Sequence, residues 1–581
     1  MLALALAAAV LAVTAALGAA SLRLRSRVSF LLALYVLASA EVVALTEVLS
    51  LGDAVGRTGY LVGEGVLLAV AAAAWLTRGL PLPALPRLDR IALRRHPLVA
   101  ALAALVTASL LFQAFLVVSS PPNNNDSLTY HLSRAAEWYQ RGAVERFPSY
   151  QEIHNAYPPN AGMEILYGFS FLGRDTLAAA PQLLARLALL AAVFGLARRA
   201  GFPRAAAAFA TLVFSCLTLV VVQAVTTQND LVVAALVAAA AFLALESVGR
   251  DARAAPLAGL ALGLAVGTKW TGAAAVPILA LLAVAASRNR RALARLALWS
   301  VAGAVAVGSY GYALNLADTG NPLGEVEALG GVETDPSVSA AASTAYRIVL
   351  DFADFSSYHR NANEDTSFFG TLGWALMLPL SAGFTLAWAR RSTLPVRGAL
   401  ALALPYAVVF LALAHPYDRF TGRLLIAPVA LTAALAAWVY GRRWVTPFVG
   451  ALAATTLVLA VVFNEAKPVG VRGAAVWTLS RTEAQTLKDP PLGEVVAALD
   501  ARVPADGRLG AVLRKSAWSY PLYGRTLGRR VTYLEPGGAL AAARRLGLRW
   551  VVFSDGVPVE RSAPGWRFTE FARGWTLAER S

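Results

Sequence analysis

Cysteine is almost absent: the 581-residue chain has one, Cys216, inside an apolar run. That excludes a disulfide framework and a cysteine metal site. Histidine is scarce too, five in all, and too scattered for a zinc motif. Charge is thin, 15% of residues against 57% apolar, with a mean hydropathy of +0.58. Ordinary soluble domains carry about a quarter charged residues. What charge there is leans one way, 51 Lys and Arg against 35 Asp and Glu. A nucleic-acid binder would gather that excess on one face. Here it is split among short loops between apolar runs, as positive-inside topology requires. No convincing internal repeat is visible, which argues against a transporter built on repeats.

In place of these stand many apolar stretches of about 20 residues, long enough to cross a bilayer as helices. Spans are expected at 1–20, 28–50, 59–77, 97–119, 176–197, 204–223, 231–248, 254–268, 271–287, 294–317, 368–389, 398–414, 423–440 and 445–463. No basic residue precedes 1–20, so it reads as a first span rather than a cleaved signal. Basic clusters at Arg23–Arg27, Arg87–Arg95, Arg198–Arg204, Arg250–Arg253, Arg288–Arg291, Arg390–Arg391 and Arg442–Arg443 all fall on one side under this count. The expectation is about fourteen crossings, both ends outside, in a mainly α, multi-pass plasma (inner) membrane protein. Residues 160–173 are too short for a full crossing and are expected to be re-entrant or to lie at the outer surface. Three parts follow: accessory helices over 1–96, a core over 97–463 with outer loops 120–175 and 318–367, and an outer domain over 464–581. In the last, LGAVL, RVTYL and RWVVFSD read as strands and ALAAARRLGL as a helix, a small α/β domain. It holds 18 Lys and Arg against 11 Asp and Glu, which does not forbid export of a large domain.

The densest polar segment between spans is 120–157, SPPNNNDSLTYHLSRAAEWYQRGAVERFPSYQEIHNAY. With a helix starting near Asn125, Asp126, Tyr130, Arg134 and Glu137 share a face, and Leu128, Leu132, Ala135 and Tyr139 line another. That describes an amphipathic helix on the membrane surface. Asp126 could simply cap it, or it could act as a base, since one carboxylate oxygen suffices for each role. His131 is a binding candidate, although a lone histidine among aromatics is more often structural, and nothing in the pattern gives His154 a role.

Three further turns fall on the same side. TTQNDL at 226–231 brings Asn229 and Asp230, either as cavity groups or as an ordinary capped turn. GLALGLAVGTKWTG at 259–272 sets Lys269 between apolar runs, where a lysine needs a function or a route to the surface. HPYDRFTGRLL at 415–425 places Arg419 and Arg423 against the positive-inside trend, suited to an anionic ligand or to lipid headgroups. Glu41, Glu47 and Glu64 of the early spans read as packing or interface groups.

At these residues the chain resembles the GT-C superfamily of membrane glycosyltransferases, which includes protein O-mannosyltransferases and the lipid A aminoarabinose transferase. The likeness rests on NNNDSLTYHLSRAAEWYQRG, YPPNAGMEILYGF, Arg186 in LLARLALL, TTQNDL, GLALGLAVGTKWTG, TGRLLIAP and YPLYGRTLGRRVTYL, and covers 97–463 best. The resemblance implies a multi-span fold with its site on the outer face, a polyprenyl-phosphate sugar donor, and Asp126 as the base for an acceptor hydroxyl. The acceptor would be an envelope glycan, a glycolipid or a protein. Lys269, Arg419 and Arg423 would bind the donor phosphate, and Tyr130, Arg134 and Asp230 would shape the pocket. Relatives with two adjacent acidic residues differ from the Asn125–Asp126 pair here, and the helices of 1–77 lie outside the common core. No cofactor is implied; a divalent metal is compatible with this chemistry but not called for by the sequence. The rival readings are a flippase for lipid-linked saccharides and a non-catalytic envelope assembly protein.

Overall fold

A computed structural model describes residues 2–84, 95–325, 338–352, 361–390, 395–414 and 417–581. The expected basic residues Arg87, Arg90, Arg94 and Arg391, His415 of the 415–425 turn, and much of the 318–367 loop lie outside them. The described chain is a bundle of apolar helices capped at one end by a small sheet domain.

Nine described helices are long and apolar enough to span a membrane: Leu2–Ser21, Arg27–Ser50, Arg57–Thr77, Pro97–Ser119, Ala180–Arg199, Asp230–Gly249, Gly370–Arg390, Pro395–Ala414 and Val445–Val462. A tenth is the pair Arg290–Val307 and Tyr310–Thr319, bent by 59°. The count of fourteen crossings is therefore not reached by length and composition. Four of the expected spans are shorter apolar helices, Arg204–Ser215, Ala252–Thr268, Trp270–Ala286 and Ile426–Val439. The first ends at the Cys216–Leu217 break, and the other three are cut by turns that bring Lys269 and Arg423 to the site described below. Residues Asn160–Leu172 form a 13-residue helix packed inside the bundle, with Asn160 donating to the Val307 carbonyl at 2.7 Å. At about 1.5 Å per residue it is too short to cross.

Asp230–Gly249 is the axis of the bundle, its apolar window wholly buried. Its alanines allow neighbouring helices to approach, as small residues do in membranes. Closer still is the crossing of Ala255–Thr268 over Arg290–Val307. A Cβ on Gly259 would lie 2.0 Å from the Trp299 carbonyl oxygen, and one on Gly263 would lie 2.1 Å from that of Gly303. The basic loops meet at the far end: the Arg25 amide donates to Asp251 at 3.0 Å, and Arg397 donates to the Ala200 carbonyl at 2.8 Å. The polar turns gather at the opposite end.

The C-terminal region carries a five-stranded sheet in the order β2-β1-β3-β5-β4: β1 Arg508–Val512, β2 Arg530–Tyr533, β3 Trp550–Phe553, β4 Trp566–Glu570 and β5 Thr576–Arg580. β2, β1 and β3 are parallel, and β5 and β4 extend the sheet antiparallel. The three expected strands and the helix Ala539–Arg545 are present; β4 and β5 are additions. This domain shares a core with the polar segment, where Leu128, Leu132, Ile165 and Phe169 pack with Leu492, Val496, Leu522 and Tyr523. Helix Leu132–Arg141 consequently does not lie on a membrane surface. Both faces are covered by protein: Leu132 and Ala135 lie in the shared core, the Ser133 and Ser519 hydroxyls are 2.7 Å apart, and Tyr523 donates to Glu137 at 2.7 Å.

Candidate active site

Asp126 sits where helix Pro97–Ser119 has ended and a π-helical turn, Ser127–His131, begins. Single π turns recur at functional sites because they redirect side chains out of α register. The carboxylate makes no cap to the following backbone. It accepts instead from the Arg423 guanidinium, from the Tyr130 hydroxyl at 3.3 Å and from the Asn125 amide at 3.4 Å. Asn125 is held in turn by the Trp518 indole at 2.9 Å.

The extra residue of the π turn breaks the expected face after Tyr130. Arg134 is fully buried and donates to the Tyr157 and Pro158 carbonyls at 3.1 and 3.2 Å, with its guanidinium over the Trp138 ring. It braces the Pro-Pro segment and does not line the cavity. His131 is buried behind Tyr130, and both its ring nitrogens lack a partner. Burial first, then Arg134, Lys269 and Arg423, pushes its pKa well down, so the ring is neutral. Arg186 is buried deep in the bundle, where it donates to the Ser215 carbonyl at 2.7 Å.

The other polar turns meet Asp126. Lys269 is the extended residue between helices Ala255–Thr268 and Trp270–Ala274. Its ammonium lies 2.6 Å from Asp230, the first residue of the axial helix, and the two side chains are 15% and 2% exposed. Neither snorkelling nor helix capping describes these groups. Asn229 donates to the Thr268 carbonyl at 3.1 Å and fixes the two turns together. Arg423, in the short helix Thr421–Leu424, bridges Asp126 and Asp365, the latter at 3.5 Å. Arg419 stacks on Phe420 and lines a separate cleft.

Asp365 is a site residue that the sequence pattern did not single out. The signal was the adjacent pair Glu364–Asp365, in NEDTSFFG at the end of the outer loop and just ahead of a helix. Gln228 donates to Asp365, and Lys488 of the C-terminal region lies 2.7 Å from Glu364. Burial, then the Glu364 and Asp126 charges, pushes the Asp365 carboxyl up to about 7, with Arg423 and Lys488 opposing.

Asp126, Tyr130, Asn229, Lys269 and Arg423 line one cavity of about 630 Å³, closed on the other side by Tyr150, Tyr157, Lys515 and Glu535. Arg423 and Leu424 also line a narrow apolar groove of about 50 Å³ that runs between Val237, Ile278, Phe410 and Leu431. The site thus sets Asp126 on Arg423, in one cavity with the Lys269–Asp230 pair, and an apolar track leads away from Arg423. Among the described residues no group of three or more His, Cys, Asp or Glu side chains is placed to hold a metal ion.

Long apolar helices joined to a polar site at one end define an integral, multi-pass membrane protein. Residues 164–309, which include Asn229, Asp230 and Lys269, match the family model for dolichyl-phosphate-mannose-protein mannosyltransferase. Two crystal structures of ArnT from Cupriavidus metallidurans share the fold. The form bound to undecaprenyl phosphate aligns with a TM-score of 0.54 at 14% identity, over 82% of this chain and 97% of that one. The apo form aligns at 0.55 and 13%, over 82% and 98%. No curated protein sequence matches the chain. The fold is that of the GT-C superfamily of membrane glycosyltransferases.

Proposed function

We propose that the chain transfers a sugar from a polyprenyl-phosphate donor to an acceptor at the extracytoplasmic face of the plasma (inner) membrane. The observation that carries this reading is the placement of Asp126 in one cavity with Lys269 and Arg423, where an apolar groove begins. The undecaprenyl phosphate held by ArnT of the same fold supports a lipid of that kind here.

In this reading the acceptor hydroxyl attacks the anomeric carbon while Asp126 takes its proton. The bond from that carbon to the phosphate oxygen breaks, and its electron pair leaves with polyprenyl phosphate. Charge grows on the phosphate, and Lys269 and Arg423 stabilise it most in a cavity shielded from water. The prenyl chain follows the apolar groove. Arg423 serves twice. It holds Asp126 and Asp365 together, and an incoming phosphate competes for the same guanidinium and frees Asp126. Tyr130, by donating to Asp126, keeps the released carboxylate aimed into the cavity.

The test is release of free polyprenyl phosphate from a panel of polyprenyl-phosphate sugars, with acceptor extract supplied, by wild type and Asp126→Asn in membranes. Release in wild type that falls at least 100-fold in a stably inserted Asp126→Asn protein is expected, about the size typical of a lost general base. Undiminished release in the variant removes Asp126 from the role. Movement of the intact donor across the membrane without release would make the protein a flippase.

A further inference from the structure

A second cleft of about 640 Å³ lies on the other side of the Asn125–Asp126 wall, between the core and the C-terminal domain. Its floor is Asn125, Asp365 and Phe420, and Phe420 also faces the main cavity. Its roof is the edge of the sheet domain where β1 and β3 end. Arg514 follows β1 and Asp555 follows β3, and both line the cleft. In the order β2-β1-β3 the chain leaves β1 toward one side and returns to β3 on the other. The crevice outside the carboxyl ends of such strands is where open α/β sheets bind ligands. Here that crevice opens onto Asn125, the residue next to Asp126, and onto Asp365.

The lining is suited to a charged sugar. Arg514 and Lys488 are taken up by Asp555 and Glu364 at 2.8 and 2.7 Å. Arg419 from the core and Arg573 from the sheet domain make no ion pair within 4 Å among the described residues, and Arg573 acts at longer range on Asp489, which also lines the cleft. Arg573 is held at φ 56°, a left-handed conformation unfavourable for a residue with a side chain. Thr366 and Ser516 offer hydroxyl groups, the Asn363 amide is taken up by Glu465 and by the Asp365 and Thr366 backbone, and the Trp518 indole is fixed on Asn125. The volume is that of an ordinary small-ligand pocket.

We infer that this cleft holds the acceptor, and that the acceptor is a saccharide bearing a phosphate or carboxylate, gripped between Arg419 and Arg573 with a hydroxyl presented past Asn125 to Asp126. The inference rests on the transferase reading. It assigns the C-terminal domain half of the acceptor site and leaves the donor to Lys269 and Arg423.

The test is direct binding to the full chain in phosphatidylcholine nanodiscs, read by saturation-transfer NMR with mannose 6-phosphate, glucuronic acid and neutral mannose. The anionic sugars are expected to bind and mannose to bind at least about tenfold more weakly, the worth of one charge-assisted hydrogen bond. Arg573→Gln and Arg419→Gln should each weaken mannose 6-phosphate about tenfold, and Arg573→Lys should weaken it less. Undecaprenyl phosphate binding should persist in Arg573→Gln, which also reports that the variant is folded. Adding phosphatidylinositol to the disc separates sources: displacement of mannose 6-phosphate supports a lipid-borne acceptor, and its retention supports a soluble glycan. Equal binding of mannose and mannose 6-phosphate overturns the inference, as does wild-type affinity in both glutamine variants. Displacement by an acidic octapeptide but by no sugar would assign the cleft to a polypeptide instead. Sugar binding without any release of polyprenyl phosphate would keep the site and sink the transferase.

Discussion

Arg423 stands between two carboxylates, and its loss leaves Asp126 and Asp365 close together without their shared cation. Breaking such a buried arrangement from one side is costly, about 3 kcal/mol. Arg423→Gln should therefore lower the thermal midpoint in detergent, and adding Asp365→Asn should recover part of the loss. Strict additivity of the two changes would show that they do not interact. Asp365 also carries a pH dependence of known sign. Its native carboxyl titrates near 7, whereas an unfolded Asp titrates near about 3.9. Between those values the native state holds a proton that the unfolded chain has lost, so this contribution to stability is full below about pH 4 and is lost as pH rises to about 7. Melts of wild type and Asp365→Asn at about pH 5 and about pH 7.5 should diverge in the variant's favour at the higher pH. A constant difference would mean that Asp365 does not titrate in this window.

At the scale of elements, legibility in the sequence followed the period of the pattern. Apolar runs and basic loops located the helices, and the motifs TTQNDL, GTKW and TGRLL lay where helices start or break. What could not be read was the π turn, since nothing in SLTYH announces one extra residue per turn, and so Arg134 lies one face away from where helical spacing places it. β4 and β5 were not legible because RFTE and TLAER end in charge and do not form apolar runs. Close helix approach, by contrast, is written in the sequence as Gly259, Gly263 and Gly267, four apart. Gly263→Val should push Ala255–Thr268 off Arg290–Val307, move the Lys269 turn at its end and destabilise the protein by about 1–3 kcal/mol. Gly383→Ala, at a helical glycine with open space around it, is the control and should be neutral or slightly stabilising. Equal melts for the two variants would show that the close crossing carries no stability.

For the whole molecule, the central question is whether the C-terminal domain is a lid or a wall. Its composition suggested an independent exported domain, yet its core is continuous with the polar segment, and its Lys488, Trp518 and Tyr523 are bonded to Glu364, Asn125 and Glu137. The sequence could not disclose this, because the contacts join residues more than a hundred positions apart with no shared motif. A shared apolar core is a fixed interface, whereas domains that move meet through smaller, more polar surfaces. The Ser133 and Ser519 hydroxyls, 2.7 Å apart, allow a direct decision. The native chain has one cysteine, buried Cys216, so the double variant S133C/S519C has one available pairing partner for each new thiol. Once oxidised, it should bridge two residues 386 positions apart and raise the thermal midpoint, since the unfolded chain loses most freedom when a long loop is closed. Release of polyprenyl phosphate should proceed at the wild-type rate in the oxidised form, because a wall does not need to open. Release that stops on oxidation and returns with reductant would make the domain a lid, and the cleft beneath it a passage that must open before each acceptor enters.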